Sequence, residues 1–195
     1  MGSVCVFCAS SAHVDRVYFE TARRLGALLA SNGHTLVYGG GNIGLMGALA
    51  AAVHEHGGKV IGVIPASLKD RELAYQQADE LVVTADLRER KAVMDTRSDA
   101  FIAMPGGYGT LEEVLEVLTL KQLRFHTKPI VFLNTRQYFA PLLGLFDHFH
   151  SQRFTATRAD ELFHVAETPE AAIGYIPKQS LPKAAPAAAV DDRDD

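Results

Sequence analysis

The stretch Asp99–Val114, "DAFIAMPGGYGTLEEV", changes character twice. An apolar run, Ala100–Met104, ends at Pro105-Gly106-Gly107, and a helical pattern carrying two glutamates follows. A short apolar run bounded by proline and glycine reads as a buried strand. Strand, glycine turn and helix together make half of a βαβ unit.

The same succession recurs along the chain. "VCVF" (Val4–Phe7), "TLVYGG", "KVIGVIP", "DELVVT", "AFIAMP" and "PIVFLN" are predicted strands. Helices are expected at about Val14–Ser31, at "GLMGALAAAVHEHG", at "ADLRERKAVMDTRS", from Thr110 onward and at "QYFAPLLGLFDHFHSQ", with "LFHVA" and "PEAAIGYI" finishing the fold. Continuous apolar strands alternating with helices imply a parallel sheet covered on both faces. The expected class is α/β, a Rossmann-like doubly wound sheet with ligands at the carboxyl ends of its strands. Residues 1–178 are expected to form one domain. The segment "QSLPKAAPAAAVDDRDD" (Gln179–Asp195), Pro/Ala-rich and then charged, reads as a disordered tail.

Composition narrows the function. The chain is 48% apolar and 22% charged with a formal charge of −4. "DDRDD" at the end carries most of that charge, so the remainder is nearly neutral and lacks the basic surface of a nucleic-acid binder. No apolar run is long enough to span a membrane, and "SVCVFCASS" enters a strand pattern without a basic leader. A cytoplasmic protein is expected. Cys5 and Cys8 form C-x-x-C, but three residues of strand separate them by about 10 Å and turn them to opposite faces. They are expected to be small buried hydrophobes.

Two glycine clusters end strands: "YGGGNIGLMG" after the second and "PGGYGT" after "AFIAM". Glycine there permits positive φ and close approach to a ligand, and a following helix offers N–H groups to an anion. Gly39, Gly41 and Gly44 match G-x-G-x-x-G, but the next strand ends in "VIPAS" with no ribose-binding acid, which argues against a dinucleotide site. Neither cluster has the Lys-Ser/Thr of a P-loop. The reading is therefore a monophosphate at a strand end.

Glu113 has two readings. "TLEE" fits a capping box, with Thr110 as N-cap and Glu113 reaching back to it. Alternatively Glu113 is a carboxylate beside a phosphate-binding turn, facing the sugar. On a helical projection Leu111, Val114, Leu115 and Leu118 form one apolar stripe, and Val117, Leu120 and Leu123 form a second. The second stripe suggests burial against a partner subunit. "DLRERKAVMDTR" supplies Arg88, Arg90, Lys91 and Arg97 at the ligand end of the sheet, where an arginine can clamp a phosphate or a sugar hydroxyl. The histidines lack H-E-x-x-H spacing and no G-x-S-x-G elbow occurs, so neither metal nor serine-hydrolase chemistry is expected.

"YGGGNIGLMG", "RERKAVM" and "DAFIAMPGGYGTLEE" resemble the Lonely Guy (LOG) family of cytokinin riboside 5′-monophosphate phosphoribohydrolases, whose members were often labelled lysine decarboxylases. The likeness runs from about Ser3 to Val165. Its specific element is R-K-x(13)-P-G-G-x-G-T-x-x-E, here Arg90-Lys91, then Pro105 to Thr110, then Glu113. The resemblance implies a Rossmann-like homodimer, with the helix after Thr110 at the subunit contact. It implies hydrolysis of the N-glycosidic bond of a nucleoside 5′-monophosphate, with no cofactor and no metal.

It also implies that Arg90 and Glu113 are the catalytic pair. Substrate contacts would come from Ser10, Gly40, Gly41, Glu72, Lys91, Gly106, Gly107, Tyr108, Gly109, Thr110 and Thr119. The chain departs from the family pattern at Ala9 and Asp70, and also at Leu87-Arg88, Leu120, Lys121 and Arg124, the latter positions being expected near the subunit contact and the base pocket. A non-catalytic nucleotide- or pterin-cofactor-binding protein on the same fold is the alternative, and it would need neither Arg90 nor Glu113. A pyridoxal-dependent decarboxylase would need a lysine to hold the cofactor, and Lys91 beside Arg90 on a charged helix is a poor candidate.

Overall fold

A computed structural model describes residues 2–69 and 74–177. The element order begins β1 (Ser3–Phe7), α1 (Arg16–Ser31), β2 (Thr35–Tyr38), α2 (Gly44–Glu55), β3 (Val60–Pro65), α3 (Ala66–Lys69), β4 (Glu80–Thr84) and α4 (Leu87–Thr96). It continues β5 (Ala100–Ala103), α5 (Tyr108–Gln122), β6 (Ile130–Leu133), α6 (Ala140–Ser151), α7 (Ala159–Leu162), β7 (His164–Ala166) and α8 (Pro169–Tyr175). The strands form one sheet in the order β4-β3-β2-β1-β5-β6-β7, and every ladder is parallel. The doubly wound, Rossmann-like class expected from the apolar runs is the one observed.

β1 explains why the central strands are apolar at every position. Val4 and Val6 enter a core with Leu25 of α1, Leu49 of α2 and Ile173 of α8. Cys5 and Phe7 enter the core on the other face with Met94 of α4 and Val114 of α5. Alternate residues along a strand point to opposite faces, so a sheet buried twice has no position left for a polar side chain. Cys5 and Cys8 fall in different cores, both free and buried, and desolvation raises both thiols well above their ordinary range.

The chain winds outward from β1 to β4, then crosses to β5 beside β1 and winds out the other way. A crevice opens at the carboxyl ends of β1 and β5, where the direction reverses. The helices start differently around it. Asp15, Asp86 and Thr168 cap α1, α4 and α8 with their side chains, whereas α2 and α5, which follow the glycine clusters, have no side-chain cap.

Candidate active site

Asp86 accepts from the backbone N–H groups of Arg88 and Glu89 at 2.8 and 2.9 Å, which fixes the start of α4 on the ligand side of the sheet. Arg90 follows one turn later. Its Nε donates to the Val63 carbonyl at 2.9 Å and its Nη1 to Glu113 Oε1 at 2.9 Å. Only 12% of the Arg90 side chain and 9% of the Glu113 side chain remain exposed. Gly39, at the end of β2, makes room for this pair: a methyl group on it would lie 1.9 Å from Arg90 Nη2.

Burial raises the Glu113 pKa, the Arg90 guanidinium pulls it back down, and the neighbouring Glu112 adds to the rise; the net direction is up. A buried ion pair loses much of its Coulombic gain to desolvation. The arrangement therefore costs stability to hold a carboxylate where water is scarce.

The capping-box reading of Glu113 is overturned. α5 begins at Tyr108 with Gly107 as its N-cap, so Glu113 lies in the second turn, beyond reach of the helix start. Among the described residues, the backbone N–H groups of Gly107, Tyr108, Gly109 and Thr110 donate to no backbone acceptor. These are the orphan donors of a helix start, aligned with its positive end.

α2 differs. Two of its first-turn N–H groups, on Leu45 and Met46, donate to the Ala9 carbonyl, at 3.0 and 3.4 Å. The chain thus covers two of the amides at the start of α2 with its own carbonyl. The glycines divide in the same way. Gly40 and Gly44 take positive φ of 72° and 65°, whereas Gly106, Gly107 and Gly109 do not. Gly106 is bare because the Thr110 side chain packs over it, with Oγ1 2.1 Å from where a Cβ would be, while Gly107 and Gly109 face open space.

Gly39, Arg90, Glu113 and residues Gly107 to Thr110 line a cavity of about 590 Å³ with Cys8 to Ser11 behind β1, Gly41, Met46 and Ile64. Tyr108 stands at its rim, 94% exposed. One end is thus a set of free amides, the middle a buried Arg–Glu pair, and the far wall apolar. That combination holds an anion at one end and sets a carboxylate against the middle of a bound molecule.

The family model described as "Possible lysine decarboxylase" matches residues 46–176. LOG4 of Arabidopsis thaliana, a cytokinin riboside 5′-monophosphate phosphoribohydrolase, is 47% identical over 167 residues, 86% of this chain and 78% of its own length. LOG1 of the same plant, also a cytokinin riboside 5′-monophosphate phosphoribohydrolase, is 44% identical over 90% of this chain and 84% of its own. The chain belongs to the Lonely Guy (LOG) family. Among solved structures, the molybdenum cofactor carrier protein of Chlamydomonas reinhardtii matches with a TM-score of 0.66 at 26% identity, over 89% of this chain and 94% of that one. The molybdenum cofactor binding protein of Rippkaea orientalis shares the fold, with a TM-score of 0.67 at 23% identity.

The residues implied by likeness to the LOG family are not all gathered in the cavity. Ser10, Gly41, Arg90, Gly107, Tyr108, Gly109, Thr110 and Glu113 line it. Gly40 and Gly106 are buried beside it. Lys91 points away: its Nζ donates to Glu112 and Glu116 on α5. Desolvation opposes the charge on Lys91, but the two carboxylates outweigh it and the net shift is upward.

Thr119 lines a second, largely apolar groove of about 550 Å³ with Leu115, Leu118, Phe149 and Phe154. Its hydroxyl donates to the Leu115 carbonyl at 2.8 Å. Glu72 lies outside the described residues. Gly39 was legible in the G-x-G-x-x-G match, but nothing in one sequence could tie it to Arg90.

Proposed function

We propose that the chain hydrolyses the N-glycosidic bond of cytokinin riboside 5′-monophosphates and of AMP, releasing the free base and ribose 5-phosphate. The observation that carries this reading is the buried Arg90–Glu113 pair. It stands one helical turn beyond four amides that find no backbone acceptor among the described residues, in a chain whose relatives bear that activity in their names.

In the proposed mechanism the 5′-phosphate docks on the amides of Gly107 to Thr110, and its remote binding energy aligns the ribose. As the C1′–N bond lengthens, its electron pair leaves with the base and positive charge builds on C1′. Glu113 faces that charge and stabilises it. A water oxygen then bonds to C1′ as one of its O–H bonds breaks; that proton passes to the Glu113 carboxylate and on to the departing base, which leaves neutral. Arg90 offsets part of the burial that disfavours the Glu113 carboxylate and holds it oriented. The apolar wall at Met46 and Ile64 offers the base a dry surface. No cofactor enters any step.

We infer a homodimer in the cytoplasm. α5 buries Val114, Val117 and Leu118 in its own core but leaves Leu115 and Leu123 exposed. Phe125 and Phe154 are exposed nearby in sequence and groove, and exposed apolar side chains gathered on one face suit a protein contact. Among the described residues no helix is long and apolar enough to cross a membrane.

The alternative, a cofactor-binding module without turnover, has the carrier-protein folds in its favour and leaves the Arg90–Glu113 pair without a task. Incubating purified protein with AMP or isopentenyladenosine monophosphate and separating the products by chromatography decides between them. Release of base and ribose 5-phosphate by the wild type and not by Glu113→Gln is expected. Intact nucleotide after long incubation, with tight binding of a pterin, would overturn the proposal.

A further inference from the structure

The turn after β6 is strained, and it ends on the glycine loop. Arg136 and Gln137 both hold left-handed backbone, with φ of 53° and 57°. Side chains other than glycine rarely adopt that conformation, and it persists only where the surroundings impose it. Here they do. Arg136 Nη1 donates to Asp15 Oδ2 at 2.9 Å, and Gln137 Nε2 donates to Glu167 Oε1 at 2.7 Å. The buried Asn134 donates to Gln137 Oε1 at 3.1 Å and accepts from the Phe139 N–H at 2.8 Å.

The residue this turn delivers is Tyr138. Its hydroxyl donates to the Gly106 carbonyl at 2.7 Å, and its ring is braced edge-on by Tyr18 and Phe139. The carbonyl of Gly106 and the N–H of Gly107 belong to one trans peptide, so they point in opposite directions. Tying the carbonyl back toward β6 turns the Gly107 N–H the other way, and Gly107 lines the cavity. Glycine on both sides of that peptide leaves it free to rotate unless something holds it.

We propose that Tyr138 is a positioning residue for the phosphate loop. By accepting the strain of the 136–137 turn, the chain places a phenol that locks the Gly106–Gly107 peptide with its N–H toward the ligand's anionic group. The role rests on the phosphate-binding reading above and extends it to a residue outside the motif.

The test is Tyr138→Phe, which removes one oxygen from a partly exposed side chain and keeps the ring packing. Loss of a single hydrogen bond of this kind predicts a roughly three- to tenfold rise in KM for AMP. The dissociation constant of ribose 5-phosphate, read by calorimetry, should rise in parallel, with adenine affinity unchanged. A folded Tyr138→Phe protein with wild-type KM and ribose 5-phosphate affinity overturns the inference while leaving the glycosidase reading intact. A wild type that binds ribose 5-phosphate but cleaves no nucleotide overturns the activity, and weakened binding in Tyr138→Phe would then still support the lock. A wild type that binds no ribose 5-phosphate overturns both.

Discussion

A methyl group on Gly39 and the guanidinium of Arg90 cannot occupy the same space: the two would be 1.9 Å apart. Gly39→Ala therefore reads out the position of Arg90 without touching it. The guanidinium is the far end of a flexible side chain, so the clash resolves by moving it rather than by breaking the fold. It would leave the Val63 carbonyl and Glu113. A displacement of that size at a reacting centre costs about 100-fold in kcat/KM. Gly39→Ala and Arg90→Gln disturb one group, so the double variant should be little worse than either single one. Steady-state kinetics on the three proteins check this, and additive losses would place the effect elsewhere.

Glu113→Gln should lower kcat by about 10²- to 10⁴-fold, the range for a positioned proton-transfer group, with circular dichroism unchanged. The pH dependence has a definite sign. Burial, only partly offset by Arg90, raises the folded-state pKa of Glu113 above its ordinary value of 4.5. The neutral carboxyl is then the form the fold prefers. Its stabilising contribution is complete below the unfolded pKa and is lost as pH rises through the folded one. Thermal melts of wild type and Glu113→Gln should therefore diverge, the wild type losing ground to the variant as pH rises from 4 to 7. Activity should show an acid limb above the usual glutamate range. Parallel melts across that window would argue that Glu113 carries no raised pKa.

The sheet was legible because strands buried on both faces must be apolar at every position. "VCVF", "KVIGVIP" and "AFIAMP" had no other reading once glycine and proline bounded them. Of the candidate site, the sequence made legible Arg90, Glu113 and the PGGYGT turn, which the fold brings to one cavity. Details governed by long-range geometry were not. The capping box failed because the helix starts at Tyr108 rather than after Thr110, and periodicity cannot fix a helix start when glycines precede it. Val117 was placed on the outward stripe but lies in the core with Val114 and Leu118. A short window does not fix the centre of a buried face to better than one residue. The helix predicted from Gln137 starts only at Ala140, after the left-handed pair that no propensity would suggest. α3 and α7, four residues each, are too short to leave a periodic signal.

Lys91 distinguishes family likeness from geometry. Likeness implied a substrate contact; the structure ties its Nζ to Glu112 and Glu116, one on each side of Glu113 along α5. Lys91 and Arg90 thus bind α4 to the same helix at adjacent points, Lys91 on either side of the residue that Arg90 holds. Lys91→Met should lower kcat by about tenfold through misplacement of Glu113, with KM for AMP near wild type. The double variant Glu112→Gln/Glu116→Gln should reproduce that pattern. A lysine that instead touches the phosphate would, in Lys91→Met, raise KM and leave kcat alone.

The proposed subunit contact rests on the outward side of α5, the flank away from Glu113. Leu115 and Thr119 there line the apolar groove with Phe149 and Phe154, and Phe154 is 85% exposed. An aromatic ring that exposed contributes little to its own chain's core, so Phe154→Glu should leave the monomer fold intact. Across a subunit contact the same change buries an unpaired charge, one of the costlier substitutions an interface can suffer. Sedimentation equilibrium should therefore give a dimer for the wild type and a monomer for Phe154→Glu, with unchanged far-ultraviolet circular dichroism. α5 carries Glu113 on one flank and this groove on another, so the monomeric variant should also lose part of its kcat. A Phe154→Glu protein that stays dimeric would move the contact to another face and free Thr119 from it.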